Sequence, residues 1–332
     1  MAVKRRVVLA GLGSIGQRHA RLLRERSDVL LELFEPSADA LRPLLEEAAD
    51  LRVHSDFGQM LASSPDVVWI ASPTRFHAAQ AIASLRAGAH VFCEKPMSER
   101  PEDAAEVRRV AEASGRTLNT GFVLRFAPAL IELRRLIREG QLGNLVHIHA
   151  RVGTYVTLVN SKSRYQATNP GSLFFDYSHQ PDLFYWLTGL VPLEVTVVGL
   201  SAGQLPHSSD PNVAVITYRY AESLLATLHL NYVQMPERHE YEIVGDQGWA
   251  LLHFAEGRLL LGSREDGAVR EAAFPHQRDD LFRAQQRAFF DALDGVSSPS
   301  TPPRDGEIAV SVCSATMDAW RTGKPVAIEL PA

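Results

Sequence analysis

Over the first 120 residues, short and nearly continuous apolar runs alternate with stretches whose apolar positions recur at helical spacing. Val7-Val8-Leu9-Ala10, Val29 to Phe34, 51–53, Val67 to Ala71, His90 to Cys93 and Thr117 to Phe122 read as strands. Between the first two, Ile15, Leu22 and Leu23 stand at i, i+7 and i+8. Further helices are expected at 38–49, 75–85 and 101–113, with Gly88 and Gly115 beyond the last two. Unbroken apolar strands alternating with helices predict a parallel sheet covered on both faces.

The period changes after Phe122. Pro128 to Glu139 forms an amphipathic helix ended by Gly140. Val146, Ile148, Ala150 and Val152 then alternate with His147, His149 and Arg151, which is the period-two pattern of a strand with one buried face. Similar runs recur at 194–198, 213–220, 224–232, 241–244, 250–254 and 259–261, with little helix between them. Helices at 280–293 and 306–322 close the chain around a Ser/Pro-rich loop at 297–303. The fold class is α/β. A doubly wound parallel Rossmann sheet is expected over 1–121. An α/β domain with a large, mostly antiparallel open sheet is expected over 122–332.

Composition narrows the function classes without choosing one. A chain of 332 residues suits two domains, and 45% hydrophobic with 22% charged residues is ordinary for a globular protein. With 34 Lys+Arg against 39 Asp+Glu, the net charge of −5 offers no concentrated basic surface for nucleic acid. Cys93 and Cys313 cannot build a disulfide framework, so a reducing, cytoplasmic setting is expected. No apolar run approaches the ~20 residues that span a bilayer, and Val7 to Ala10 is too short for a signal peptide core.

Gly11-Leu12-Gly13-Ser14-Ile15-Gly16 fits G-x-G-x-x-G, directly after a strand and opening a helix. Gly11 permits the tight turn, Gly13 lets the backbone approach a pyrophosphate, and Gly16 allows close packing. The helix N-terminus, with Ser14 and Ile15, offers N–H groups to the anion. Glu35 follows the second strand, 19 residues past Gly16, where an acid binds the adenosine ribose hydroxyls and repels a 2′-phosphate. Pro36 and Ser37 add no cation, so NAD is preferred over NADP. His147 and His149 share a strand face, but without supporting Cys or acid spacing no metal site is expected. Cys93, in an apolar strand, reads as an inert thiol.

Glu94-Lys95-Pro96 lies just past a predicted strand end, at the sheet edge where ligands bind. On its own this lysine would be a solvated loop residue. It is accompanied by the glycine loop with Arg18-His19, Ala71-Ser72-Pro73-Thr74 with His77, and Ala87-Gly88-Ala89-His90-Val91 before Glu94. Gly121-Phe122 with Arg125-Phe126, Gly140-Gln141-Leu142-Gly143, and Asp176-Tyr177-Ser178-His179 with Asp182 and Trp186-Leu187-Thr188-Gly189 follow. In this order and spacing the chain resembles the Gfo/Idh/MocA family, the relatives of glucose–fructose oxidoreductase and inositol dehydrogenase.

The resemblance implies a Rossmann domain, then an open-sheet domain that supports a homo-oligomer, dimer or tetramer. It also implies a nicotinamide-dependent oxidoreductase acting on sugars, cyclitols or their derivatives. Lys95 matches the family's catalytic lysine, and His179 its substrate-domain acid/base. Asp176 stands three residues before His179, where many members place the acid four before; Phe175 occupies that place here. Glu94 matches a nicotinamide-ribose contact. Ser72, Pro73 and Thr74 are expected to line the cofactor path. His77 joins them or makes a local hydrogen bond on its helix. Arg125 holds polar groups of substrate or cofactor, or pairs with an internal acid. Asp182, one turn past His179, serves its helix or orients a neighbour. The Lys95–Pro96 turn is tight enough for a cis bond.

In this reading His179 moves the hydroxyl proton, Lys95 positions the reacting oxygen and relays the proton, and Asp176 orients or binds substrate. The polar stretch 156–171, including Arg164 and Tyr165, is expected to cover an oxygen-rich substrate. Two alternatives remain: a reductase of a keto-sugar or nucleotide-linked sugar using NADH or NADPH, and a non-catalytic regulatory protein that senses a dinucleotide or sugar.

Overall fold

The computed structural model describes residues 4–48, 50–159, 169–221 and 223–331. The chain forms two compact units: 1–122 with 282–310 and 331–332, and 123–281 with 311–330.

The first unit opens β1 (Arg5–Ala10), α1 (Ser14–Arg24), β2 (Val29–Phe34), α2 (Ala38–Glu47), β3 (Arg52–His54), α3 (Phe57–Ala62) and β4 (Val67–Ile70). It continues α4 (His77–Arg86), β5 (His90–Cys93), α5 (Pro101–Ser114) and β6 (Leu118–Thr120). The strands are all parallel, in the order β3-β2-β1-β4-β5-β6. The order reverses between β1 and β4, and in such sheets the crevice beyond the strands' C-terminal ends takes the ligand. Gly11, Ser72 and Lys95 follow β1, β4 and β5 at that edge.

The core of this unit is aromatic. Trp69 stacks on Phe92 with centroids 3.8 Å apart, and Phe289 meets both rings edge-on. Phe289 and Phe290 come from residues that the sequence pattern places in the second domain. Their burial among Val7, Leu9, Leu33 and Trp69 returns 282–310 to the first unit.

The remaining elements are α6 (Pro128–Arg138), β7 (Leu145–Gly153), α7 (Val156–Val159), α8 (Ser172–Asp176), α9 (His179–Thr188), β8 (Glu194–Leu200), β9 (Val213–Arg219) and β10 (Leu225–Asn231). Then come β11 (Arg238–Gly245), β12 (Gly248–His253), β13 (Arg258–Ser263), β14 (Val269–Ala273), α10 (Arg278–Leu293), α11 (Pro303–Thr322) and β15 (Val326–Ala327). Nine strands form one sheet in the order β14-β13-β12-β11-β7-β10-β9-β8-β15. Every pairing is antiparallel except β7 with β10. Ile148, Ala150, Leu228 and Ile243 are buried on one face. His149, Thr227, Glu242 and Leu251 lie in register on the other.

Candidate active site

The glycine loop is shaped by what each glycine touches. Gly11 has φ +96°, and a Cβ there would lie 2.4 Å from the Ser72 nitrogen. A Cβ at Gly16 would lie 2.0 Å from the Gly11 carbonyl oxygen. Both sites therefore exclude any side chain. Gly13 differs: it is extended, and a Cβ there would meet nothing within 4 Å. The backbone at Gly13 borders open space. It leads into α1, whose N-terminus has no side-chain cap and no acid in its first turn. The first N–H groups of a helix have no intrahelical acceptor and carry its positive dipole end, so this terminus fits a pyrophosphate.

Glu35 ties this loop to the next. One carboxylate oxygen accepts the Leu12 N–H at 2.8 Å, the other the Ser37 N–H at 2.9 Å. Each oxygen keeps a lone pair for a further donor, such as a ribose hydroxyl. Ser37 in turn caps α2 by accepting the Ala40 N–H.

Beyond β4, the Ser72 hydroxyl donates to Gln80 at 2.6 Å. Thr74 opens a short 3-10 turn, with Pro73 before it, that leads into α4 at His77. His77 is buried, with Nδ1 2.8 Å from the Pro96 carbonyl and Nε2 2.7 Å from the Ser72 carbonyl. Burial pushes its pKa down, against the pull of these carbonyls and of Glu94. Both ring nitrogens thus face main-chain oxygens of loops outside α4.

Beyond β5, Glu94 is buried and its Oε1 lies 2.8 Å from His19 Nε2. Its Oε2 accepts the Lys95 N–H at 3.1 Å. The Gln286 amide lies 3.4 Å from His19 Nδ1, so that nitrogen accepts its hydrogen bond and Nε2 donates to Glu94. A Cβ at Gly121 would stand 2.8 Å from the Glu94 carboxyl, which makes room for this acid a requirement for glycine. Lys95 is half-buried and precedes a cis bond to Pro96.

In the second unit, α8 ends at Asp176, Tyr177 and Ser178 make the turn, and α9 begins at His179. Asp176 and His179 therefore occupy consecutive helix ends. Asp176 Oδ2 accepts the Tyr232 hydroxyl at 2.6 Å. Burial first, then the Asp176 charge, pushes the Tyr232 pKa well up, so Tyr232 remains a donor. One turn into α9, Asp182 pairs with Arg125 in a bidentate bridge of 3.0 and 2.5 Å, both side chains buried. Arg125 thus bonds an internal acid, and Asp182 ties it to the helix that starts at His179. Arg164 and Tyr165 lie outside the described residues.

Residues 5–122 match the oxidoreductase family with an NAD-binding Rossmann fold, and 130–251 match the GFO/IDH/MocA C-terminal domain. The two matches together span well over half of the chain. The chain belongs to the Gfo/Idh/MocA family of oxidoreductases.

Among Gfo/Idh/MocA relatives, it is 28% identical to 1,5-anhydro-D-fructose reductase of Ensifer adhaerens over 81% of this chain and 82% of that one. It is 25% identical to inositol 2-dehydrogenase 1 of Saccharopolyspora erythraea over 98% and 96% of the two chains. An oxidoreductase from Agrobacterium radiobacter, solved with NAD+, L-tartaric acid and magnesium, shares its fold at TM-score 0.88 and 17% identity, covering 98% of this chain and 99% of that one. As a member of this NAD(P)-binding family, the chain is an oxidoreductase of the dehydrogenase/reductase type.

For this family member, sequence reading leaves two site contacts unassigned: His19 with Glu94, and Tyr232 with Asp176. A signal for His19 exists, since Ile15, His19, Leu22 and Leu23 fall on one helical face. Nothing local marks Tyr232, because its partner lies 56 residues away.

Proposed function

We propose that this chain is an NAD-dependent oxidoreductase that transfers a hydride between nicotinamide and a secondary alcohol or ketone of a sugar, cyclitol or sugar derivative. The observation that carries the reading is Lys95 held at the C-terminal edge of the parallel sheet, on the edge that also bears the open Gly13 loop. The inositol and anhydrofructose enzymes it resembles support the substrate class. In this proposal, the first unit binds the dinucleotide and the second the substrate.

Gly11, Gly13, Ser14, Ile15 and Gly16 would hold the pyrophosphate. Glu35 would hold the adenosine ribose, with Ser72, Pro73 and Thr74 along the cofactor path. When bound, the nicotinamide supplies the hydride acceptor or donor. His179 takes the hydroxyl proton in oxidation and returns it in reduction, since imidazole ordinarily titrates near pH ~6.5. Lys95 donates a hydrogen bond to the reacting oxygen and relays its proton. Asp176, fixed by Tyr232, orients substrate. The likeness to a reductase favours the reductive direction as a second reading.

Glu35, followed by Pro36 and Ser37 without a cation, supports NAD over NADP. Glu35→Ala is expected to weaken NADH about ten- to a hundredfold, the worth of a charged hydrogen bond. Tighter binding of NADPH than NADH by the wild type would overturn the preference. Turnover is tested by NADH appearance with a panel of inositols and sugars. Lys95→Ala is expected to bind NADH normally and lose turnover; near-normal activity would overturn the mechanism. Binding of cofactor and sugar without any reduction would favour a sensor.

Val198 and Val215 pair in register on the open sheet face and are exposed, at 73% and 46%. They support a homo-oligomer formed through this sheet, which Val198→Asp is expected to dissociate in size-exclusion chromatography. Cys93 and Cys313 are buried free thiols, which supports a reducing cytoplasm as the setting; burial pushes the Cys93 pKa well up and leaves it unreactive. Among the described residues no helix is long and apolar enough to cross a membrane.

A further inference from the structure

Three loops meet the C-terminal edge of the parallel sheet, and one side chain joins two of them through the main chain. His77 opens α4 with its ring between the Ser72 carbonyl at 2.7 Å and the Pro96 carbonyl at 2.8 Å. Ser72 is already fixed: its backbone packs so closely on Gly11 that no side chain fits there. Pro96 follows Lys95 directly. The contacts therefore run without a gap from the glycine loop through Ser72 and His77 to Pro96 and Lys95. On the other side of Lys95, its own N–H is held by Glu94, which His19 holds in turn.

A histidine packed only for its volume would have no reason to direct both ring nitrogens at main-chain oxygens of separate loops. Buried carbonyls need donors; the neutral ring carries one N–H and gives it to one of the two carbonyls at a time, and an apolar replacement removes that donor. The ring is also rigid, so it fixes the spacing between its two partners. A shift of about 1 Å in a reacting group can cost about a hundredfold in rate.

We propose that His77 is a positioning residue for Lys95, a spacer that sets the Lys95–Pro96 segment relative to the dinucleotide loop. The inference rests on the reading of Lys95 as the oxygen-positioning group. It predicts a loss of rate rather than of cofactor affinity, because the glycine loop and Glu35 keep their own contacts when His77 is replaced.

The test compares wild type with His77→Leu, His77→Gln and Lys95→Ala. Four quantities are measured on each: thermal stability, NADH affinity, the kcat and KM for the best alcohol of the panel, and hydrogen–deuterium exchange across 72–74 and 94–97. His77→Leu is expected to lower kcat about ten- to a hundredfold, with NADH affinity within about threefold of wild type. Exchange should rise at 94–97. His77→Gln, which returns a donor, should recover part of kcat even if His77→Leu folds poorly. Wild-type kcat in folded His77→Leu, or unchanged exchange at 94–97, would overturn the inference while leaving the Lys95 reading intact if Lys95→Ala is dead. Equal falls in His77→Leu and His77→Gln tracking only lost stability would also overturn it. Near-normal turnover in Lys95→Ala would instead overturn the reading of Lys95, and the positioning role with it.

Discussion

His19 Nε2 lies 2.8 Å from Glu94 Oε1, and both side chains are buried. The helix that begins at the glycine loop thus grips the acid that precedes Lys95. Replacing His19 by Leu leaves part of a buried carboxylate without its donor. A loss of about 2–3 kcal/mol is expected, read by urea denaturation. His19→Gln, which keeps a donor, should lose less. Equal stability of His19→Leu and wild type would remove the pair from the account of the loop.

The two outer glycines and the middle one should respond oppositely. Gly16→Ala sets a Cβ 2.0 Å from a carbonyl oxygen, so the loop must open and stability must fall. Gly13→Ala meets no protein atom within 4 Å, and its φ of −63° is ordinary for alanine. Its melting temperature should stay near that of wild type while NADH affinity drops. Undiminished NADH affinity in Gly13→Ala would mean that the open space there is not where the dinucleotide approaches.

Arg125 and Asp182 form a buried, bidentate pair under α9. Removing one partner strands the other charge, so Arg125→Met is expected to cost about 3–5 kcal/mol. The double variant Arg125→Met with Asp182→Leu should be more stable than Arg125→Met alone, since no charge is left buried. Additive losses in this cycle would contradict the pairing.

The sheet carries an acid-sensitive contact. Partial burial resists ionisation of Glu240, but Arg238 and Arg151 overcome it and hold its pKa at about 2. Arg238 Nη2 lies 2.6 Å from Oε1, and Arg151 pairs with Oε2. A carboxylate with a depressed pKa contributes its full stabilisation above its unfolded value, near ~4.3, and loses it as pH falls toward the folded one. Unfolding free energy should therefore decline between about pH 4.5 and pH 2, and Glu240→Gln should flatten that decline. An unchanged slope in the variant would exclude this group as its source.

Much of the first unit was legible along the chain because parallel strands buried on both faces must be apolar throughout. Val67–Ile70 is buried at every position, and the sequence shows it as an unbroken run. Some elements left no such trace. Among the described residues Val269–Ala273 pairs only with β13, at the sheet edge, and is mostly exposed, so its Val-Arg-Glu-Ala-Ala carries no alternation. Phe57–Ala62 is too short to show a helical period, although Asp56 caps it by accepting the Gln59 N–H.

The site divided in the same way. Gly11, Gly13 and Gly16 were legible because a dinucleotide loop is a local device whose spacing is set by one turn and one helix. Glu35 was legible by its distance from them, but its grip on the Leu12 N–H was not.

By itself the sequence determined the periodicities, and through them the two kinds of sheet, the glycine loop and the candidates Lys95, Asp176 and His179. Only the tertiary structure decided the partners. It sent Arg125 to Asp182, set His77 between Ser72 and Pro96, and returned Phe289 and Phe290 to the Trp69 core. The physical reason is range. Backbone hydrogen bonding imposes a repeat that any short window displays. The partner of a buried charge or ring is chosen by packing among residues far apart in the chain, where spacing carries no signal.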